Sequence, residues 1–403
     1  MTEGAGIQVA ITGVGVVSPL GWTWPDFRDR VLTGQSAIRR REFNFGDIMT
    51  TSAPAALVEG FEPEVDLPNS KASSLDRVSV FAVYSARKAL AMSGISGDQV
   101  DEICIGACTG GMESIEAGYL RMASGDDRLS PMTIPKFMSN SPASAVSIDL
   151  GCHAPSYCVS SACSSSNQAI IGAVQRIASG QRSVVLTGGT EASATIGPVL
   201  AWKRLRVMSD ETCRPFCRTR SGMVLGEGAA MFILEALDHA KTRGAKPLAI
   251  VTGLAENSDA GSMTGPDQAS ITAAIGNALA SAGLVPGEID YVNAHGTGTR
   301  VNDKCEAEAI NAVFGRDGTR PVVSSTKALH GHLLGASGAI ELAACIAAIE
   351  TGIAPPQGNF QEADPEIDIA IAGQAPPNRD VWHVLSSSFA FGGHNAVLVL
   401  SHP

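Results

Sequence analysis

Tyr157-Cys-Val-Ser-Ser-Ala-Cys163-Ser-Ser-Ser166 reads as a short strand that breaks into small side chains and passes into a helix. Ile170, Val174, Ile177 and Ala178 recur at helical spacing as that helix's apolar face, and Gly180 supplies its stop. The same device returns at Val322-Val-Ser-Ser-Thr326, which leads through Lys327 to Gly338 and an amphipathic helix with Leu342, Cys345, Ile346 and Ile349, closed by Gly352. Turns between strand ends and helix starts open into clefts, so both are expected to build a site. Val9-Ala-Ile-Thr-Gly13 and Leu248-Ala-Ile-Val-Thr-Gly253 also resemble each other, which predicts two similar halves, 1–250 with the nucleophile and 251–403 with two histidines.

Elsewhere β-rich runs alternate with Ala-rich helical stretches, the pattern of an α/β protein with mixed or parallel sheets between helices. With 403 residues and 44% hydrophobic content, the chain can bury a large core, which excludes a disordered tail or a small disulfide scaffold. Lys+Arg 29 against Asp+Glu 40 leaves a net charge of −11, which repels a phosphate backbone, so nucleic acid is not an expected partner. Apolar runs such as Leu342 to Ile349 fall short of the roughly 20 residues of a membrane span, so no membrane association is expected. The opening MTEGAGIQVA lacks a basic stretch before an apolar one, and the nine cysteines are scattered singly. A reducing cytoplasm is the expected location.

Cys163 lies among side chains too small to cover it, at the expected first turn of a helix, where unpaired N–H groups and the helix dipole favour thiolate. It reads either as a nucleophile or as a small buried hydrophobe. His295, in Tyr291-Val-Asn-Ala-His-Gly-Thr-Gly-Thr299, ends a short strand beside glycines that let a substrate approach; the alternative is an ordinary core histidine. His332 sits in a glycine-flanked turn before the second helix. With His330 it forms a His-x-His pair, but Cys, Asp or Glu is missing at ligand spacing, and no metal is expected. Cys213 and Cys217 lack the second pair of a zinc site. Gly13-x-Gly15 runs into Ser18-Pro19 where a dinucleotide fingerprint needs glycine. Ser388-Phe-Ala-Phe-Gly-Gly-His-Asn395 combines a bendable backbone with rings that can line a pocket. One cysteine and two histidines suggest covalent catalysis at an acyl group.

Over nearly its whole length the chain resembles the elongating β-ketoacyl-acyl carrier protein synthases of the thiolase superfamily. The resemblance rests on Ile11-Thr-Gly-Val-Gly15 with Ser18-Pro-Leu-Gly21, Ser161-Ala-Cys-Ser-Ser165, Arg214-Pro-Phe216 with Gly226-Glu-Gly228, Asn293-Ala-His-Gly-Thr297, Lys327 with Gly331-His332, and Phe389-x-Phe391-Gly-Gly393, in that order. It implies a thiolase fold, two duplicated mixed-sheet halves in α-β-α-β-α layers, usually as a homodimer. It also implies decarboxylative Claisen condensation. Cys163 takes an acyl chain from the phosphopantetheine of an acyl carrier protein, and malonyl-carrier loses CO2 and attacks it to give 3-oxoacyl-carrier, in fatty-acid elongation or a specialised lipid or polyketide pathway. The enzyme itself is expected to bind no cofactor.

By the same resemblance, neutral His295 and His332 donate to the enolate, and the N–H groups of Cys163 and Phe391 form the oxyanion hole. Lys327 pairs with Glu341, Thr297 and Thr299 grip the pantetheine arm, and Phe391 is the gate. Thr264, Phe389 and Gly392 complete the substrate contacts. Thr109 and Trp202 stand where the family commonly has a bulky aliphatic and a phenylalanine, so they are expected to reshape the acyl channel. Cys217, Ser221 and His394 are further departures. Arg128, Lys203, Arg204 and Arg206 are the expected carrier-docking residues, with a charged solvated face as the alternative. Ser70-Lys-Ala-Ser-Ser-Leu-Asp76 carries fewer basic residues than the family's helix, which hints at a dedicated carrier. A degradative thiolase needs a second cysteine near the C-terminus, whereas the last here is Cys345, and an initiating synthase has asparagine at His332. A silent chain-length partner subunit loses the nucleophile; heterodimerisation with such a partner stays open.

Overall fold

β1 (Val9–Val17) is buried along its whole length. A Cβ on Gly13 would stand 2.2 Å from the Ala89 carbonyl oxygen, and one on Gly15 2.0 Å from that of Ser85. The helix Arg77–Ser93 therefore rests directly on the strand's backbone, and the Gly-x-Gly spacing serves helix-on-strand packing. The computed structural model describes residues 8–62, 74–126, 128–315, 320–373 and 380–403; residues 70–73 of the basic-poor segment lie outside these.

The further strands are β2 (Arg39–Phe45), β3 (Met49–Ala56), β4 (Glu102–Gly106), β5 (Ser156–Val159), β6 (Val184–Glu191), β7 (Leu225–Gly226), β8 (Gly228–Ala236), β9 (Ala249–Ser258), β10 (Tyr291–Asn293), β11 (Val322–Ser324), β12 (His383–Ala390) and β13 (His394–Ser401). Ten of them form one sheet in the order β5-β4-β6-β8-β1-β9-β13-β12-β10-β11. Outward from β1, β8 and β6 are successively antiparallel, then β4 and β5 parallel. Outward from β9, β13 and β12 are antiparallel, then β10 and β11 parallel. The pattern repeats strand for strand. The two runs join where Val9–Ile11 pairs antiparallel with Ala249–Val251.

Helices Arg77–Ser93 and Ser141–Leu150 cover the outer face of the first run, and Gln268–Ala282 and Arg300–Phe314 that of the second. Ser165–Ala178 and Ser337–Thr351 lie between the runs, which completes the α-β-α-β-α layers of a thiolase fold. The expected amphipathic character of Ser337–Thr351 is corrected: every residue from Ser337 to Ile349 is buried, as a helix that is apolar all round requires. Among the described residues, Leu334–Thr351 is the helical stretch long and apolar enough to cross a membrane, yet 89% of it lies inside the protein. Ala178, expected on the apolar face of the other central helix, is exposed one residue after buried Ile177.

Candidate active site

Between β5 and the helix Ser165–Ala178 the chain makes an elbow in which Ala162 takes φ +52°, a left-handed conformation that costs an L-residue about 1–2 kcal/mol. Serines hold the elbow. Ser165 Oγ donates to the Ala162 carbonyl at 2.6 Å and accepts from the Ser161 N–H at 2.9 Å, and Ser164 Oγ donates to the Ser161 carbonyl at 2.9 Å. Cys163 thus stands outside the helix, before its N-cap Ser164. The expected thiolate is corrected accordingly. Burial pushes the thiol up to about 11, against the pull of the charge on Lys327 and of the N–H groups of Phe391 and Cys163 itself, both directed at the sulfur. The helix dipole fades beyond the first turn and does not overcome burial here.

In the second repeat β11 leads to Lys327 and the turn that carries His332. β7 fixes this turn, because the His332 N–H donates to the Val224 carbonyl at 2.6 Å and the Gly226 N–H to the His332 carbonyl at 2.9 Å. The Leu334 N–H donates to His332 Nδ1 at 3.1 Å, with Ser337 Oγ 2.7 Å from the same nitrogen. A backbone N–H can only donate, so Nδ1 is the acceptor and the proton sits on Nε2. At His295, Nδ1 faces Lys327 Nζ at 3.5 Å, which assigns the same tautomer. Burial first, then the charge on Lys327, hold both imidazoles well below their ordinary value and keep the rings neutral. The rings stand edge to face with centroids 5.6 Å apart. Both are therefore neutral Nε2–H donors.

Cys163, His295 and His332 line one cavity of about 580 Å³, with Trp202, Arg206, Thr264, Thr297, Thr299, Phe389 and Phe391. Thr297 and Thr299 touch through their hydroxyls at 2.9 Å, and the Trp202 and Phe391 rings lie 5.7 Å apart. Lys327 and Glu341 are fully buried beneath the cavity, where Lys327 Nζ donates to Glu341 Oε1, and burial pushes the Glu341 carboxyl up to about 7.

Three of the expected residues have partners within the protein. Thr109 is absent from the cavity wall; its hydroxyl donates to the buried Glu191 at 2.6 Å, because that carboxylate needs donors. Gly392 spends its N–H on the Met263 carbonyl at 2.9 Å, which ties the turn before β13 to the 259–266 loop. Lys203 donates to Ser52 O at 2.6 Å and Thr51 Oγ1 at 3.1 Å, so its charge is committed to β3. Arg128 and Arg204 are exposed outside the cavity, and Arg128 pairs with Asp126 at 2.9 Å. His330, the other half of the His-x-His pair, spends Nδ1 on the Gly331 carbonyl and Nε2 on Thr326 Oγ1. Among the described residues no group of three or more His, Cys, Asp or Glu is placed to hold a metal.

Buried carboxylates that shape the site escaped the sequence reading. Glu306 accepts the N–H groups of His295 and Gly296, each at 2.7 Å, and Asp303 those of Phe216 and Gly298 at 2.8 and 3.1 Å. Both lie on the helix Arg300–Phe314, three residues apart on one face, a spacing visible in the sequence. Glu191 accepts from Cys108 N and Gly335 N, which ties β6 to the turn after His332. Its single place at the end of a buried strand gave no signal.

Fold and site together define a thiolase-fold condensing enzyme, with a cysteine and two histidine donors at one cavity. The β-ketoacyl synthase N-terminal domain model matches residues 7–240 and the C-terminal domain model residues 248–361, and the chain belongs to the β-ketoacyl synthase family. It is accordingly an acyl-transferring enzyme that forms carbon–carbon bonds. It is 40% identical to nodulation protein E of Rhizobium sp. (strain N33) over 97% of this chain and 98% of that protein. It is 36% identical to 3-oxoacyl-[acyl-carrier-protein] synthase 2 of Coxiella burnetii (strain RSA 493 / Nine Mile phase I), over 98% of each. Among solved structures it superposes on the ishigamide ketosynthase/chain length factor with a TM-score of 0.92 and 30% identity, covering 99% of this chain and 100% of that one.

Proposed function

We propose that Cys163 carries the acyl chain and that His295 and His332 hold the enolate of a malonyl thioester. The Cys163 sulfur attacks the acyl-carrier thioester, the carrier's C–S bond breaks, and the carrier thiol leaves with the cysteine's proton. The N–H groups of Cys163 and Phe391 face that oxyanion. The malonyl thioester then loses CO2, and the electron pair of the broken bond spreads onto the thioester oxygen between the two Nε2–H donors. The enolate carbon attacks the acyl-cysteine, a C–C bond forms, and the Cys163 C–S bond breaks to give 3-oxoacyl-carrier, after which the sulfur regains a proton from solvent. The observation that carries this reading is the donor geometry at His332 Nδ1, which commits its Nε2–H to the cavity that also holds the sulfur.

Substrates arrive on an acyl carrier protein, and the chain needs no bound cofactor of its own. Arg206, exposed in the cavity wall, with the exposed Arg204 two residues before it, meets the acidic carrier, and exposed Arg128 is a further docking residue. Residues 1–250 and 251–403 act as two halves that contribute nucleophile and histidines respectively. The greater identity to a nodulation protein than to the 3-oxoacyl-[acyl-carrier-protein] synthase, and the likeness to a type II PKS ketosynthase, support a specialised pathway. Nine free cysteines support the cytoplasm. Exposed Tyr119, Met122, Ile134 and Phe137 support association, as a homodimer or with a chain-length partner. The test is mass spectrometry after incubation with acyl-carrier. Wild type gains the acyl mass and Cys163→Ala does not; an adduct on the variant removes the assignment.

A further inference from the structure

Asn302 stands in the wall of the catalytic cavity, half-buried, on the first turn of the helix Arg300–Phe314. Its Nδ2 donates to Asp303 Oδ1 and to Glu306 Oε2, both at 3.3 Å. Carboxylates accept, so the amide cannot be turned over without setting its oxygen against two acceptors. Oδ1 therefore points away from them. Among the described residues Oδ1 makes no hydrogen bond, and it is not sealed from solvent as a buried orphan would be. Thr299 stands at the N-cap of the same helix, yet its hydroxyl makes no capping bond and turns to Thr297 instead. Beside the threonine pair the cavity thus holds one fixed acceptor, three residues along the chain from Thr299.

We infer that Asn302 Oδ1 is a specificity contact that accepts an amide N–H of the pantetheine arm, an inference that rests on the reading of the cavity as a pantetheine thioester site. Such an arm carries amide N–H donors and must lie along the wall that leads to Cys163. The two carboxylates fix the acceptor in advance, so little rotamer freedom is lost when the N–H arrives. One neutral hydrogen bond is worth about 2- to 12-fold in affinity or rate.

The experiment is a cycle between substrate and enzyme. Acyl-pantetheine thioesters, native or with either amide N–H replaced by an ester oxygen, are used to acylate wild type and Asn302→Ala, and kcat/KM is read by mass spectrometry of the Cys163 adduct. One ester analogue loses about 2- to 12-fold on wild type. Asn302→Ala loses a similar factor with the native thioester and nothing further with that analogue. The inference is overturned if neither analogue is slowed on wild type, a result that needs no variant, or if the losses multiply in the variant. The second outcome would leave Asn302 as a prop for Glu306 and His295 only, and would show as a fall in decarboxylation kcat with KM unchanged. If native thioester leaves no adduct on wild-type Cys163, the reading of the site fails instead.

Discussion

His332→Ala separates the two chemical stages of the reaction. The ring presents one of two Nε2–H donors to the cavity, and its tautomer is held by the Leu334 N–H at 3.1 Å. Removing one preorganised donor from a developing oxyanion costs about 2.7–4 kcal/mol of barrier, or about 10²–10³ in rate. In the proposed reaction, acylation of Cys163 relies on a different pair of donors, the N–H groups of Cys163 and Phe391, which face the sulfur. Decarboxylation of malonyl-carrier, followed by release of labelled CO2 in a Cys163→Ala background so that condensation cannot compete, should therefore fall about 10²–10³-fold in His332→Ala. Acylation with Cys163 intact, read by mass, should fall by no more than about tenfold. Ser337→Ala is the control: it loses the 2.7 Å contact to Nδ1 but keeps the backbone donor and hence the tautomer, so decarboxylation should drop by less than about tenfold. Equal losses in the two stages for His332→Ala would refute the division of donors, and a drop in Ser337→Ala as large as that in His332→Ala would refute the tautomer argument.

The remaining expectations are briefer. Because burial pushes the Cys163 thiol up to about 11 and the thiolate is the reactive form, alkylation by iodoacetamide should quicken about tenfold per pH unit from 7 to 10. A plateau at or below pH 8 would show that the site favours thiolate after all. Gly13→Ala places a Cβ 2.2 Å from the Ala89 carbonyl oxygen and should lower stability by about 1–3 kcal/mol, read by chemical denaturation, unless the helix Arg77–Ser93 can shift outward. Trp202→Phe removes part of the ring 5.7 Å from Phe391 and should lengthen the product profile measured by mass spectrometry; an identical profile would remove Trp202 from the chain-length wall.

What the sequence discloses depends on the range of the interaction. The β5 turn and its repeat at β11 were legible because strand, small-residue turn and helix each leave a local period, and Gly180 and Gly352 close the helices through a left-handed φ that favours glycine. The burial of Ser337–Thr351 on every side was not, since it depends on both sheet runs flanking one helix. At the site, Cys163 stood out among serines and an alanine, and His295 and His332 beside glycines. The partner of Thr109 was not legible, because its hydroxyl meets the buried Glu191, 82 residues along the chain. The state of Cys163 was misjudged for a related reason. A helix start is visible in sequence, but the apolar side chains clustered with the sulfur, Ile196, Met223, Leu334 and Ala390, are remote in the chain, and the burial outweighs the pull of Lys327 and the Phe391 N–H.

The proposed reaction requires a fixed spacing between Cys163 and His332, and the start of each central helix sets it. A Cβ on Gly338 would stand 2.3 Å from Asn167 Oδ1 and 3.1 Å from Ser166 Oγ, while Ser166 Oγ accepts the Ala339 N–H at 3.0 Å. A Cβ on Gly189 would meet Ser166 Cβ at 2.6 Å, and one on Gly106 the Ser166 backbone N at 2.3 Å. The first turns of the two repeats are thus in contact, and glycines on three sides permit it. Each turn carries its chemical group just ahead of its helix, so an approach close enough to interlock the helices also brings the sulfur and the imidazole to one cavity. The 43 glycines of this chain are in part the means by which duplicated elements meet at their reactive ends. A bulkier contact would push the two first turns apart and separate the groups that, in the proposed reaction, share one thioester.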